Sequence, residues 1–325
     1  MKSVFYRIAL CVGMSGLAAT ALAQSAANYP SRSIKIIVPF APGGTTDILA
    51  RLVGQRLTQS WGQPVVIENK PGAGATLGAD MVAKSAPDGY TLLMGAAHHT
   101  IAQKVYAKIP YQFDRDFAPI TMVAMVPNMV VVNSDVPAKT IAEFIALSKS
   151  QPGKFNYGSA GAGTAHHLIG EMFKLRSGVD LVHIPYKGSG AALTDLMGGQ
   201  VLFATDSLTA AMTHIRSGRL RALATTDATR EASLPDVPTL AESGLPGLQV
   251  AAIGGLFAPK GTPKEVVDKV ADATRKVLAN PEVQKRFAAV ETDPLNLSIP
   301  AFNELRRKEA EVWSPLVRQL DLKQE

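Results

Sequence analysis

Cysteine is nearly missing from this chain, with one in 325 residues, so no intrachain disulfide framework and no cysteine-based zinc ribbon can form. Charge of one sign is not concentrated either. Lys plus Arg number 33 against 27 for Asp plus Glu, a net +6 with no dense basic run, which argues against a nucleic-acid partner. Charged residues make up only 18% and the hydrophobic set 46%, a balance that excludes general disorder. At about 150 residues per domain the length suggests two domains with ample core.

One apolar run stands at the start. Met1 to Arg7 carries Lys2 and Arg7 and no acid, Ile8 to Ala21 is almost wholly apolar or small, and Ala21-Leu22-Ala23 obeys the small-x-small rule before Gln24. That order is a secretory signal peptide over residues 1–23. A membrane anchor would want about 20 continuous apolar residues, and Gly13, Ser15 and Gly16 interrupt this one. The lone Cys11 follows Leu10, which is not the small residue a lipoprotein cleavage site needs, so it leaves with the leader. The mature chain is then free of cysteine, suits an oxidising compartment, and without Lys2 and Arg7 carries +4.

Past the leader, short β-rich runs alternate with helical periodicity. Ser33 to Phe40 reads as a strand, Thr46 to Trp61 as a helix, Pro64 to Glu68 as a strand, Thr76 to Ser85 as a helix and Tyr90 to Met94 as a strand. This order implies an α/β fold with mostly parallel sheets flanked by helices. Two runs, Ile120 to Val126 and Met129 to Val132, are separated by Pro127-Asn128 and form a first crossover between two lobes. The alternation restarts beyond it, and Val250 to Phe257 forms a second crossover back. The end is helical, with Pro281 and Pro300 in first-turn positions. The expected division is lobe 1 over 24–125 and 251–325, and lobe 2 over 126–250, with a ligand cleft and a hinge between them.

Two glycine-rich turns between strand and helix carry the candidate chemistry: Phe40-Ala41-Pro42-Gly43-Gly44-Thr45-Thr46-Asp47 and Gly158-Ser159-Ala160-Gly161-Ala162-Gly163-Thr164. Glycine permits close backbone approach, and a helix N-terminus favours an anion through its free N–H groups and dipole. Each turn alone is more often just a tight turn; one in each lobe brings a clamp for a carboxylate or phosphate closer to even. Neither contains a phosphate-loop or dinucleotide glycine pattern. Lys187, in Tyr186-Lys187-Gly188-Ser189, is a third candidate anion contact or else a solvated lysine. Asp206 either accepts a hydrogen bond from ligand or caps a helix. The adjacent pairs His98-His99 and His166-His167 are poorly spaced for one metal ion, since neighbours point in different directions. One histidine of each pair is expected to be structural and the other to border the cleft. Ser159 lacks the first glycine of the hydrolase elbow, because Tyr157 stands there. A secreted serine hydrolase using Ser159 remains the alternative.

Taken in order, these segments resemble a known family. Tyr29-Pro30-Ser31 with Ile34 to Asp47, Glu68-Asn69 with Gly72-Ala73-Gly74, Pro87 to Leu92, Gly158 to Thr164 with His167-Leu168, Pro185 to Gly188, Asp195 to Gly199, Leu234 to Thr239 and Ala258-Pro259 with Thr262-Pro263 are similar to the Bug or TctC-like substrate-binding proteins of tripartite tricarboxylate transporters. The resemblance implies a two-lobed periplasmic binding protein with two crossover strands. It implies a non-enzymatic monomer that closes on a small mono-, di- or tricarboxylate or aromatic acid and serves a membrane permease, with no cofactor or metal. By matching positions it implies ligand contacts from Phe40, Ala41, Gly43, Gly44, Thr46, Asp47, Ala97, His98, Ser159, Ala160, Gly163 and Thr164, with Lys187 and Asp206 nearby. One departure is Ala252-Ile253-Gly254-Gly255, where many relatives carry Ser-Trp; losing the tryptophan would reshape the pocket.

Overall fold

The computed structural model describes residues 28–96, 98–106, 108–248, 251–295 and 297–320; the expected leader, Ala97 and Val250 lie outside them. In chain order the elements are β1 (Ile34–Val38), α1 (Thr45–Trp61), β2 (Val65–Asn69), α2 (Thr76–Ala83), β3 (Thr91–Ala96), α3 (His98–Val105), α4 (Phe113–Asp116), β4 (Phe117–Asn133), α5 (Ile141–Ser150), β5 (Asn156–Ser159) and α6 (Ala165–Ser177). They continue as β6 (Val182–Pro185), α7 (Ser189–Met197), β7 (Phe203–Ser207), α8 (Leu208–Arg216), β8 (Leu220–Thr225), β9 (Ala251–Pro259), α9 (Lys264–Leu278), α10 (Pro281–Ala289), β10 (Asp293–Pro294) and α11 (Ile299–Gln319).

The strands join in the order β2-β1-β3-β9-β4-β7-β5-β6, with β8 and β10 also paired to β4. The flanks are parallel, as β1 lies between β2 and β3 and β5 between β6 and β7. The centre is antiparallel, because β4 and β9 run against their neighbours. The sheet is therefore mixed rather than mostly parallel. Apolar runs such as Ile34, Ile36, Ile37 and Val38 are fully buried because helices cover both faces. One half of the sheet packs α1, α9 and α10 on one face and α2 and Phe113 on the other. The other half does the same with α5 and α6 against α7 and α8.

The two halves meet in one strand. β4 pairs with β9 as far as Pro127↔Ala251, and from Asn128↔Ser207 onward it pairs with β7 and β8. Pro127-Asn128 is thus a change of partner inside a continuous strand, not a break. The missing proline N–H falls where the ladder passes from one neighbour to the next. β4 runs through both halves, and β9, which starts at Ala251 opposite Pro127, follows Leu248 of the second half back into the first. Pro281 opens α10 behind an Asn280 cap, and Pro300 sits in the first turn of α11 as expected.

α11 adds a connection that strands do not provide. Its start buries Phe302 against the first half, and Trp313 and Val317 pack between Val105 of α3 and Leu168 and Ile169 of α6. The C-terminal helix therefore belongs to both halves.

Candidate functional site

Four turns between strand and helix, two from each half of the sheet, converge on one cavity of about 60 Å³. Its wall takes Phe40, Gly44, Thr45, Thr46 and Leu49 from the β1–α1 turn, and Ala160, Thr164, Ala165 and His166 from the β5–α6 turn. Ser189 comes from the β6–α7 turn and Ser207 from the β7–α8 turn, while Met94, Val126 and Gly254 line the strand side. By the measure in which one water needs roughly 10–15 Å³, this admits a solute the size of about four to six waters.

The helix starts explain why such a wall attracts an anion. α1 is capped by Gly44, α7 by Gly188 and α8 by Ser207, and none of the three receives a side-chain capping bond. Their first-turn N–H groups stay available beside the cavity. Only α6 is internally capped, with Thr164 Oγ1 accepting from His167 N–H. Each N-terminus contributes about 0.3–2 kcal/mol toward a negative group. No Lys, Arg, Asp or Glu side chain lines the cavity among the described residues.

Asp47 does a different job from the one its position suggested. Its carboxylate accepts from Gly43 N–H at 3.0 Å, Asn69 Nδ2 at 2.9 Å and Arg51 Nε at 3.0 Å, and Asn69 also donates to the Phe40 carbonyl. Burial alone would raise this carboxyl, but the Arg51, Gly43 and Asn69 hydrogen bonds outweigh it and hold it below its ordinary range. The group fixes the turn, with Gly43 at φ +89°, and is not part of the cavity wall.

The second turn is tied down in the same manner. Ser159 is fully buried; its Oγ accepts from Gly161 N–H at 3.1 Å and lies 2.7 Å from His183 Nε2. His167 Nδ1 accepts from Gly163 N–H at 3.1 Å, and its ring stacks on His183 at 3.9 Å. Burial lowers His167 to about 4; burial and then its neighbour His167 lower His183 to about 3, so both rings are neutral props under the loop. Ser159 thus has a histidine partner but no opening to the cavity, and the hydrolase alternative gains no support.

Of the residues expected at the site, Phe40, Gly44, Thr46, Ala160 and Thr164 line the cavity. Ala41, Gly43, Asp47, Ser159, Gly163, Lys187 and Asp206 surround it as structure, and Ala97 and the His98 side chain lie outside the described residues. Lys187 is exposed; its backbone carbonyl, not its ammonium, takes part, accepting Ala41 N–H at 2.8 Å across the two halves. Asp206 is fully buried, accepts Ser207 N–H at 2.7 Å and pairs with His166. The histidine pairs divide their roles as expected at 166–167, where His166 borders the cavity and His167 is internal. His99 is buried and stacked on Phe113. Sequence reasoning missed Ser189, Ser207 and Ala165 as wall residues, although each stands in the first turn or cap of a helix that follows a strand. Gly254, in the stretch that departs from the family pattern, lines the cavity, while the Ile253 side chain lies outside the described residues.

Further contacts join the halves around the site. Thr45 Oγ1 bonds Ser207 Oγ, and Tyr106 Oη donates to the Ala162 carbonyl at 2.9 Å. Among the described residues no cluster suits a metal ion and no helix is long and apolar enough to cross a membrane.

Residues 49–322 match the model of the tripartite tricarboxylate transporter family receptor. The chain is 37% identical to Protein BugT of Bordetella pertussis over 97% of both chains. A solved periplasmic transporter superposes with a TM-score of 0.88 at 42% identity, covering 91% of this chain and 99% of that one. An R. palustris protein solved with adipate gives 0.87 at 33% identity over 90% and 98%. MatC from Rhodopseudomonas palustris, solved with malate, gives 0.84 at 34% identity over 89% and 100%.

Proposed function

This chain belongs to the tripartite tricarboxylate transporter receptor family, whose role is solute binding, and we propose that its own ligand is a small organic carboxylate captured between two lobes. The observation that carries the reading is the convergence of four helix N-termini, three without side-chain caps, on a cavity whose wall holds no Lys or Arg side chain among the described residues. Such a wall solvates one carboxylate through N–H groups and hydroxyls, while Phe40, Leu49, Met94 and Val126 meet its carbon skeleton. The adipate and malate bound to two relatives are acids of this class.

The lobes are residues 24–125 with most of 251–325, and 126–250; closure turns about Pro127-Asn128 in β4, with α11 as a second tether. The Ala41–Lys187 backbone bond and the Tyr106–Ala162 bond are contacts of the closed form. The protein works as a monomer in the periplasm, exported by the leader over residues 1–23, and presents the closed complex to a membrane permease.

Calorimetry and thermal shift against a panel of mono-, di- and tricarboxylates and aromatic acids test the reading. At least one acid is expected to bind and stabilise the protein. Gly44→Val is expected to abolish that binding with the fold intact, because even a Cβ there approaches Ser189 Cβ to 3.3 Å. A panel with no binder refutes the proposal.

A further inference from the structure

The cavity wall is uncharged except at one point. His166 is its only titratable side chain among the described residues, and it stands in the first turn of α6, one of the converging N-termini. The residue is 91% buried, from a relative exposure of 9%. Its carbonyl is fixed by Thr205 Oγ1 at 2.5 Å, and its Nδ1 finds no hydrogen-bond partner among the described residues. Its Nε2 lies 3.9 Å from Asp206 Oδ1, and Asp206 itself does not line the cavity. Asp206 is fully buried, spends Oδ1 on Ser207, and leaves Oδ2 without a partner among the described residues. The imidazole of a cavity-lining residue is thus held beside a buried carboxylate.

We propose that His166, backed by Asp206, couples ligand binding to the uptake of one proton, so that the site selects the fully ionised acid and holds it more tightly as pH falls. The inference rests on the carboxylate reading above and deepens it. A neutral imidazole beside the buried Asp206 leaves that negative charge to repel an incoming anion. Protonation turns the same ring into a cation close to both carboxylates, and the attraction is strengthened in a poorly hydrated place. Linkage then requires that whatever ligand favours the protonated ring be favoured by it equally.

The surrounding charges leave this role to His166. His214 of α8 feels Asp206 electrostatically, but its Nδ1 is engaged by Arg219 at 2.9 Å. On α6 itself, Glu171 is engaged with Tyr157 of β5 and with Lys174. Asp47 of α1 is spent on Arg51 and Asn69, and on α11 Arg307 pairs with both Glu304 and Glu311. His167 faces Gly163 and His183 rather than the cavity.

The test is calorimetry with malate and adipate between about pH 6 and pH 8, where imidazole changes charge while ordinary carboxylates stay ionised. Near neutrality, buffers of contrasting ionisation enthalpy count the protons taken up. In the unaltered protein the affinity is expected to fall about tenfold across that span, with up to one proton bound per ligand. His166→Gln is expected to bind the same acid with a flat pH profile and no buffer-dependent heat. Binding that is flat with pH in the unaltered protein overturns the proton coupling and leaves the carboxylate site standing. Failure of both acids and of the wider panel overturns the site reading itself. Should His166→Gln fold poorly, the imidazole resonances of labelled protein decide the matter. Titration of His166 must move to higher pH with saturating malate, and an unmoved titration refutes the proposal.

Discussion

Gly190→Ala isolates closure from folding. Gly190 is the second residue of α7, and a Cβ built on it stands 2.5 Å from the Pro42 carbonyl oxygen, which belongs to the opposite half of the sheet. Real Cβ contacts essentially never fall below 3.0 Å, and ordinary contact starts at 3.4 Å. The facing turns must therefore part by 0.9 Å to go from 2.5 to 3.4 Å. The Ala41–Lys187 backbone bond, now 2.8 Å, would then stretch past hydrogen-bond range. Overpacking costs about 1–3 kcal/mol and a lost hydrogen bond about 0.5–1.5. The closed form is thus weakened by about 1.5–4.5 kcal/mol, and Kd rises about tenfold to about two thousandfold. In the open form nothing opposes the new methyl, and alanine suits a helix better than glycine by up to about 1 kcal/mol. Calorimetry with the tightest acid of the panel reads the affinity, and melting without ligand reads the fold. Unchanged affinity refutes the assignment of these turns as closing surfaces, and so does a lower melting point without ligand.

Two further outcomes follow from packing and titration. Trp313→Ala empties a fully buried site between α3, α6 and α11 and is expected to cost about 3–5 kcal/mol in urea unfolding; a loss below 1 kcal/mol would mean that α11 does not tie the halves together. His167, held neutral by burial down to about 4, binds fewer protons folded than unfolded between about pH 6.5 and 4. Stability is therefore expected to fall as pH drops through that window, by on the order of 3 kcal/mol. His183, lowered in the same sense, adds to the slope, so in His167→Gln the urea midpoint should lose about half of it, and an unchanged slope would assign it to other groups.

Much of the chain was legible because local signals agree with the final fold. Alternating strand and helix, proline at the first turns of α10 and α11, and glycine between strand and helix are encoded within about ten residues each. The family resemblance is a sum of such short segments, and the matched receptor model bears it out. The mixed character of the sheet was not legible, since strand direction at β4 and β9 depends on partners more than a hundred residues apart.

By itself the sequence determined which segments become strands and helices, where helix N-termini fall, and that two glycine turns can approach an anion. Those properties arise from neighbouring residues. Only the tertiary structure decided which side chains face the cavity. Asp47 and Ser159 turn inward because Arg51, Asn69, Gly161 and His183 satisfy them there. Lys187 points to solvent while its carbonyl bridges the halves, and Ser189, Ser207 and His166 complete the wall from three separate turns. Burying a polar group requires a partner, and those partners come from distant parts of the chain, so the division between prop and wall belongs to the folded molecule.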